Sequence, residues 1–317
     1  MNRVSSASRA IGERAQIFPI GAVLVANLVW GIGPSLTLAV DMSINATIFY
    51  RVLLWPFILL AIVLSRKAPL NFETLKVSII PGMFFGVSTI FGFVSFRTTS
   101  IANATIIGSV ASAITLFVAP FFLKEKISVL QVVFAVTSFC GVAMVALGAG
   151  SGGIATLRGD AFALANAVFW TGYFVASKKA RVGGINTWSF MFGVSIVQAV
   201  IAGTWGAITS DDLTSISMHD AWLILAMTLL SGTVGHTTMV WAQRYVSAGT
   251  SSLICLLAPV LSMFFAWVFF GQTIRTWQAF GSVLVLASLA AVVRFGTSER
   301  VQRDVLSTAD PLLNSNP

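Results

Sequence analysis

Charge is what this 317-residue chain has least of: only 9% of its residues are Asp, Glu, Lys or Arg, against 56% hydrophobic. Ordinary soluble domains carry about 25% charged residues, so composition excludes a conventional soluble fold and makes lipid the solvent. Cysteine is nearly absent as well. Cys140 and Cys255 each sit inside an apolar run, with no histidine or second cysteine at ligand spacing, which excludes a disulfide framework and a zinc site and leaves small packing residues. H-E-x-x-H, G-x-S-x-G and G-x-x-x-x-G-K-[ST] do not occur, so metalloprotease, serine-hydrolase and ATP-driven chemistry have no residues to carry them. No catalytic residue, cofactor or metal is expected. Acidic residues are missing from the deep part of every apolar run, with Glu125 and Asp160 at run ends. That argues against a central carboxylate shared between a proton and a cationic drug.

What the chain does have is apolar runs of the ~20 residues that cross a hydrocarbon core of about 30 Å. They fall at 18–40, 47–65, 77–96, 101–123, 129–148, 157–177, 187–209, 220–242, 249–270 and 276–295. Barrel strands would be alternating segments of about 10 residues, whereas these runs are continuously apolar. The expected fold is an all-α integral membrane protein with ten transmembrane helices. Arg3, Arg9 and Arg14 precede the first run as they would in a signal peptide, but that run is too long for an h-region and no A-x-A-like site follows it, so a retained helix is expected.

The net charge of +8 does not point to nucleic acid, because its distribution has another explanation. With the ten runs crossing alternately, Arg97, Arg158 and Arg275 fall on one side, Arg51 within a run, and the other fifteen of the 19 Lys and Arg on the opposite side. The positive-inside rule makes the basic side cytoplasmic and puts both termini there. The N-terminal tail covers 1–17. The polar, aperiodic C-terminal tail, 296–317, is expected to lack structure.

Two stretches repeat: "ANLVWGIG" at 26–33 and "ANAVFWTG" at 165–172. "INATIF" at 44–49 likewise answers to "INTWSF" at 185–190, and Gln131 to Gln278. The Gly/Ser segment within 149–156 reads as a linker between a first unit, 18–148, and a second, 157–295. Five spans per unit is odd, so the second copy enters the membrane from the opposite side. The halves are therefore expected to be inverted repeats, the architecture with which secondary transporters build a site near the midplane.

The segments "VWGIGPSLTLAV" (29–40), "TIFYRVLLWPF" (47–57), "TSIANATIIGSVASAITLFVAPFFLKEKIS" (99–128) and "SAGTSSLICLLAPVLSMFFAWVFFGQTIRTWQAFGSVLVL" (247–286) resemble the drug/metabolite transporter superfamily, in its ten-helix EamA type. The resemblance covers roughly residues 18 to 295. It departs at Gln272, where the family usually has Glu, and at Ser112, where the second copy has Pro259. It implies a cavity surrounded by the first, third, fourth, sixth, eighth and ninth helices, with the fifth and tenth at the periphery.

Deep polar groups are costly in lipid and usually face a cavity or another helix. Asn27 and Trp30 share one face of the first helix; Asn166, Trp170 and Tyr173 share one face of the sixth. Two readings are open for them. Either amides and indoles line a cavity, or the amides bond to backbone between helices and the rings face lipid. His236 is the deep histidine; it either titrates, with a proton as coupling ion, or bonds a facing hydroxyl. Trp241 follows five residues on. Arg51 lies about one turn inside the outer edge of its span, where it either snorkels or attracts an anionic group. The expected function is a secondary carrier that moves a small amino-acid-like metabolite, neutral or zwitterionic, across the cytoplasmic membrane. Its partners are that small-molecule substrate and the lipid bilayer, with no nucleic acid. A nucleotide-sugar exchanger needs several cations on the cavity and a non-transporting scaffold needs none of the deep polar residues; these are the competing readings.

Overall fold

The computed structural model describes residues 2–99, 101–148, 156–271 and 273–309. Among the described residues all regular structure is helical and no strand occurs. In chain order the helices are α1 (Asn2–Leu38), α2 (Ile44–Ser65), α3 (Phe72–Thr98), α4 (Ile101–Leu123), α5 (Val129–Gly148), α6 (Leu157–Val182), α7 (Thr187–Thr209), α8 (Met218–Ala242), α9 (Ala248–Phe269) and α10 (Thr276–Ala309). Three of them change pitch along their length, α9 by a 3₁₀ segment at Cys255–Leu257. α7 contains a π-helical segment at Ala199–Gly203, and α8 one at Thr228–Gly235.

The helix starts follow from short polar side chains that accept orphan backbone N–H groups. Ser43, Asn71, Thr156, Asn186, Ser217 and Ser247 each accept from an amide two or three residues on, and so cap α2, α3, α6, α7, α8 and α9. Polarity is distributed inside out relative to a water-soluble protein. Ser78, Ser189, Ser195, Thr228 and Ser251 are fully buried, while Phe121, Leu157 and Val129 lie more than four-fifths exposed. Such a surface is matched to lipid tails, and small hydroxyl residues inside let helices approach closely. Among the described residues eight helices contain stretches long and apolar enough to span a membrane. α6 falls short because Asn166, Thr171, Tyr173 and Ser177 interrupt it, and the apolar part of α10, Thr276–Val292, is short. α6 tolerates that polarity because α3 and α4 both pack along it.

α3 also lies against α7, α1 against α8 and α9, and α5 against α10. At two points the ends depart from expectation. α10 runs on to Ala309, through residues 296–309 expected to be unstructured, and α1 begins at Asn2 within the polar N-terminal stretch. Extending an existing helix adds one hydrogen bond per residue fixed, without a new nucleus, so polar residues that would not start a helix continue one. The rest of the C-terminal tail, 310–317, and the linker up to 155 lie outside the described residues.

Candidate substrate site

His236 is the hub of the molecule's centre. Its imidazole is 4% exposed and has five aromatic neighbours drawn from four helices. Phe85 of α3 approaches to 4.5 Å between ring centroids and Trp30 of α1 to 5.0 Å; Trp55 of α2 and Trp170 of α6 both lie at 5.7 Å, and Tyr173 at 5.8 Å. The Tyr173 hydroxyl is 3.3 Å from His236 Nδ1. Trp30 and Trp170 also meet each other edge to face at 5.5 Å, and Phe85 stacks on Tyr173 at 4.4 Å. These offset and T-shaped arrangements place the positive edge of one ring against the negative face of the next.

The π-helical segment of α8 makes room for this cluster. A side chain at Gly235 would start only 2.5 Å from Trp30 Nε1, so glycine is required for the indole to cross there. The same indole donates to the Ser231 carbonyl at 3.1 Å, and Ser231 Oγ returns a bond to the Val29 carbonyl at 2.9 Å. Segments of π pitch recur at functional sites. Here Gln198 immediately precedes one and His236 immediately follows the other.

Beside the cluster a narrow cavity is lined by Arg51, Val52, Trp55, Phe85, Gln198, Thr228, Gly232 and His236. Arg51 points its guanidinium over the Phe93 ring at 5.5 Å and makes no ion pair or hydrogen bond among the described residues. The side chain lines the same cavity as His236.

The structure therefore brings together Trp30, Trp170, Tyr173 and His236, with Arg51 on the adjoining cavity. It does not bring Asn27, Asn166 or Trp241 to them. Asn27 is fully buried but donates to the Val23 carbonyl of its own helix at 2.8 Å. Asn166 accepts a 2.7 Å bond from Ser88 of α3, the interhelical contact of the competing reading. Trp241 is 37% exposed and packs on Tyr245 at 5.2 Å. Trp55, Phe85 and Gln198 were missed. They sit on α2, α3 and α7, and the resemblance had implied a cavity without the second and seventh helices. One signal was available: Trp55 lies four residues after Arg51, on the same helix face.

Polar ties close the structure at both ends of α8. At one end Ser43 donates to Asp212 from its hydroxyl at 2.6 Å and its N–H at 2.7 Å, the Asp41 N–H donates to Asp220 at 2.9 Å, and the Tyr50 hydroxyl bonds the Leu213 carbonyl. The bonds from the Ser43 side chain and backbone hold the Asp212 carboxyl below its ordinary range. At the other end the Lys178 ammonium donates to the Gln243 and Val246 carbonyls and lies 3.8 Å from Glu125. Glu125 in turn accepts from the Ala248 N–H at the start of α9.

An all-helical, multi-pass membrane protein whose enclosed centre is aromatic and polar is the class these features define. The sequence matches the EamA-like transporter family over residues 17–147 and 157–294, and the chain belongs to that family. Relatives include an uncharacterized transporter of Clostridium kluyveri, 29% identical over 64% of this chain and 66% of its own length. The uncharacterized transporter YxxF of Bacillus subtilis is 25% identical over 66% of this chain and 67% of its own. The chain thus matches about two thirds of the length of these relatives. A crystal structure with a TM-score of 0.69 covers 86% of this chain and 97% of its own at 21% identity, a likeness of fold.

Proposed function

We propose that this protein is a secondary carrier that exports a small amino-acid-like metabolite, neutral or zwitterionic, across the cytoplasmic membrane by alternating access. The observation that carries the reading is Arg51: a guanidinium with no ion pair among the described residues, on a cavity shared with His236, whose ring in turn neighbours Trp30 and Trp170, supplied by different halves of the chain. A ligand carboxylate supplies the missing counter-charge, and the rings hold its apolar part. His236, bonded to Tyr173, is the group placed to accept a coupling proton. A nucleotide-sugar exchanger would need more cations than Arg51, the one Lys or Arg among the described residues lining the cavity.

Ten membrane-crossing helices in two inverted halves are part of this proposal, and three observations support them. The contacts of α3 with α6 and α7 answer to those of α8 with α1 and α2. Lys124 after α4 and Gly271 after α9, equivalent in the repeat, both adopt left-handed backbone, at φ 54° and 62°. Gln131 and Gln278, also equivalent, each accept from the N–H three residues earlier, at 3.0 and 2.9 Å.

Counterflow in proteoliposomes tests the carrier. With a panel of α-amino acids, wild-type protein is expected to show saturable counterflow and Arg51→Gln to lose it. Trp30→Ala and Trp170→Ala, each checked for a monodisperse elution profile, are expected to weaken apparent affinity by up to about tenfold, the scale of an aromatic contact worth roughly 0.5–1.5 kcal/mol. Wild-type affinity in all three variants would remove these residues from the site. The orientation has its own test. With Cys140 replaced, Ser215→Cys is expected to react with an impermeant maleimide from outside intact cells and Leu70→Cys only after the membrane is opened. Labelling of both from the same side would refute the topology.

A further inference from the structure

Besides Arg51, two buried side chains on the cavity have hydrogen-bonding capacity that is unused among the described residues. Trp55 is 3% exposed, and its indole N–H has no acceptor among the described residues. It lies four residues after Arg51 on α2, so the two donors stand one above the other on one helix face. Trp55 Nε1 is also directed at the cavity lining, since a Cβ at Gly232 would lie 3.5 Å from it. Gln198 is 4% exposed, and its Oε1 has no donor among the described residues. Its amide orientation is fixed by bonding. Thr89 Oγ1 donates its hydrogen to the Phe85 carbonyl at 2.8 Å and can only accept from the amide, so Gln198 Nε2 takes the 2.8 Å contact with Thr89. The amide oxygen is left as the free atom on the cavity wall. Buried polar atoms are almost always satisfied, and unmet donors and an unmet acceptor in the lining of one small cavity suit a ligand that carries both kinds of partner.

We infer that Trp55 and Gln198 are specificity residues: Arg51 and Trp55 seat a carboxylate, and Gln198 Oε1 receives the ammonium of the same molecule. The cavity in this structure has room for about one water, about 10 Å³; opened to a ligand, it selects a zwitterion over a simple carboxylate of the same size, which would leave the Gln198 oxygen buried and unmet, and over a simple amine, which would leave Arg51 without a counter-charge. Rejection of an analogue that lacks a required hydrogen-bonding group is the stronger kind of discrimination, because the site's own buried group stays unpaired. The inference rests on the carrier reading above and adds to it which group of the ligand each side chain reads.

Ligand-induced thermal stabilisation of the detergent-solubilised full chain measures binding without requiring transport. The probes are the twenty α-amino acids, each beside its deaminated carboxylic acid and its decarboxylated amine. In wild type at least one amino acid is expected to bind, with both of its analogues tenfold or more weaker, the scale of a hydrogen bond to a charged group. In Gln198→Leu the amino acid and its deaminated acid are expected to bind equally. Gln198→Glu, which keeps an acceptor there, is expected to retain the preference. Trp55→Phe is expected to weaken the amino acid and the deaminated acid alike and to leave the amine unchanged. Equal binding of amino acid and deaminated acid in wild type, or an undiminished preference in Gln198→Leu, overturns the inference and leaves the carrier standing. If no probe binds and none supports counterflow, the amino-acid-like carrier fails as well.

Discussion

Lys178→Met is expected to lower the unfolding free energy by about 3–5 kcal/mol, the range found when one partner of a buried ion pair is removed. Lys178 is 5% exposed, and its ammonium gathers the Gln243 and Val246 carbonyls and the Glu125 carboxylate around one charge. Methionine has the length but not the charge, so both carbonyls and a carboxylate would be left facing an apolar chain. Glu125 still accepts the Ala248 N–H, which keeps that carboxylate in place rather than letting it swing to water. Reversible unfolding in mixed micelles measures the loss. The double variant Lys178→Met with Glu125→Gln is expected to recover part of it, because the stranded charge is gone. A single variant as stable as wild type would show that this contact contributes little to the closed end.

The second large effect is expected at Gly159, in the first turn of α6. A Cβ there would lie 2.3 Å from both the carbonyl carbon and oxygen of Thr98, so backbone meets backbone and no rotamer relieves it. The neighbourhood is pinned on every side. Thr156 bonds the Thr98 carbonyl, and Asp160 accepts from the Thr99 hydroxyl at 2.6 Å and from the Asn103 amide at 3.1 Å. Gly159→Ala must part α6 from the α3–α4 turn, and overpacking of this kind costs about 1–3 kcal/mol before any hydrogen bond is counted. Gly108→Ala is the matched control, since nothing lies within 4 Å of a Cβ there. The same unfolding assay should show a clear loss for Gly159→Ala and none for Gly108→Ala. Equal stabilities would mean that the α3–α6 contact yields without strain.

Much of this was legible in the chain. Runs of the right length gave all-helical, membrane-embedded elements, because lipid requires both length and apolarity. Trp30 and Trp170 could be singled out because the repeat placed them in matching segments, and His236 because a histidine so deep in an apolar run is unusual. The Asn27 and Asn166 pair shows where pattern stops. The two are equivalent in sequence, yet one bonds its own helix and the other Ser88. Partner choice depends on which helix passes at 3 Å, and that is not written in either copy. Trp241 failed for a rotational reason: five residues advance a helix by about 140° beyond a full turn, which carries it off the His236 face. Trp55, Phe85 and Gln198 have no sequence marking of their own. They become a site only when α2, α3 and α7 converge.

One feature of the packing bears on how the protein is made. α6 begins the second stretch that matches the family, yet over its first half its polar groups bond to residues synthesised earlier: Asp160 to Thr99 and Asn103, Asn166 to Ser88, Thr171 to Ala111. A segment too polar to partition into lipid alone thus meets its cover already in place as it leaves the ribosome. The two halves are interlaced at this helix rather than laid side by side. A cut between 148 and 156 would separate α6 from the residues that cover its polar groups, so the two stretches that match the family, 17–147 and 157–294, are not units that could be assembled independently.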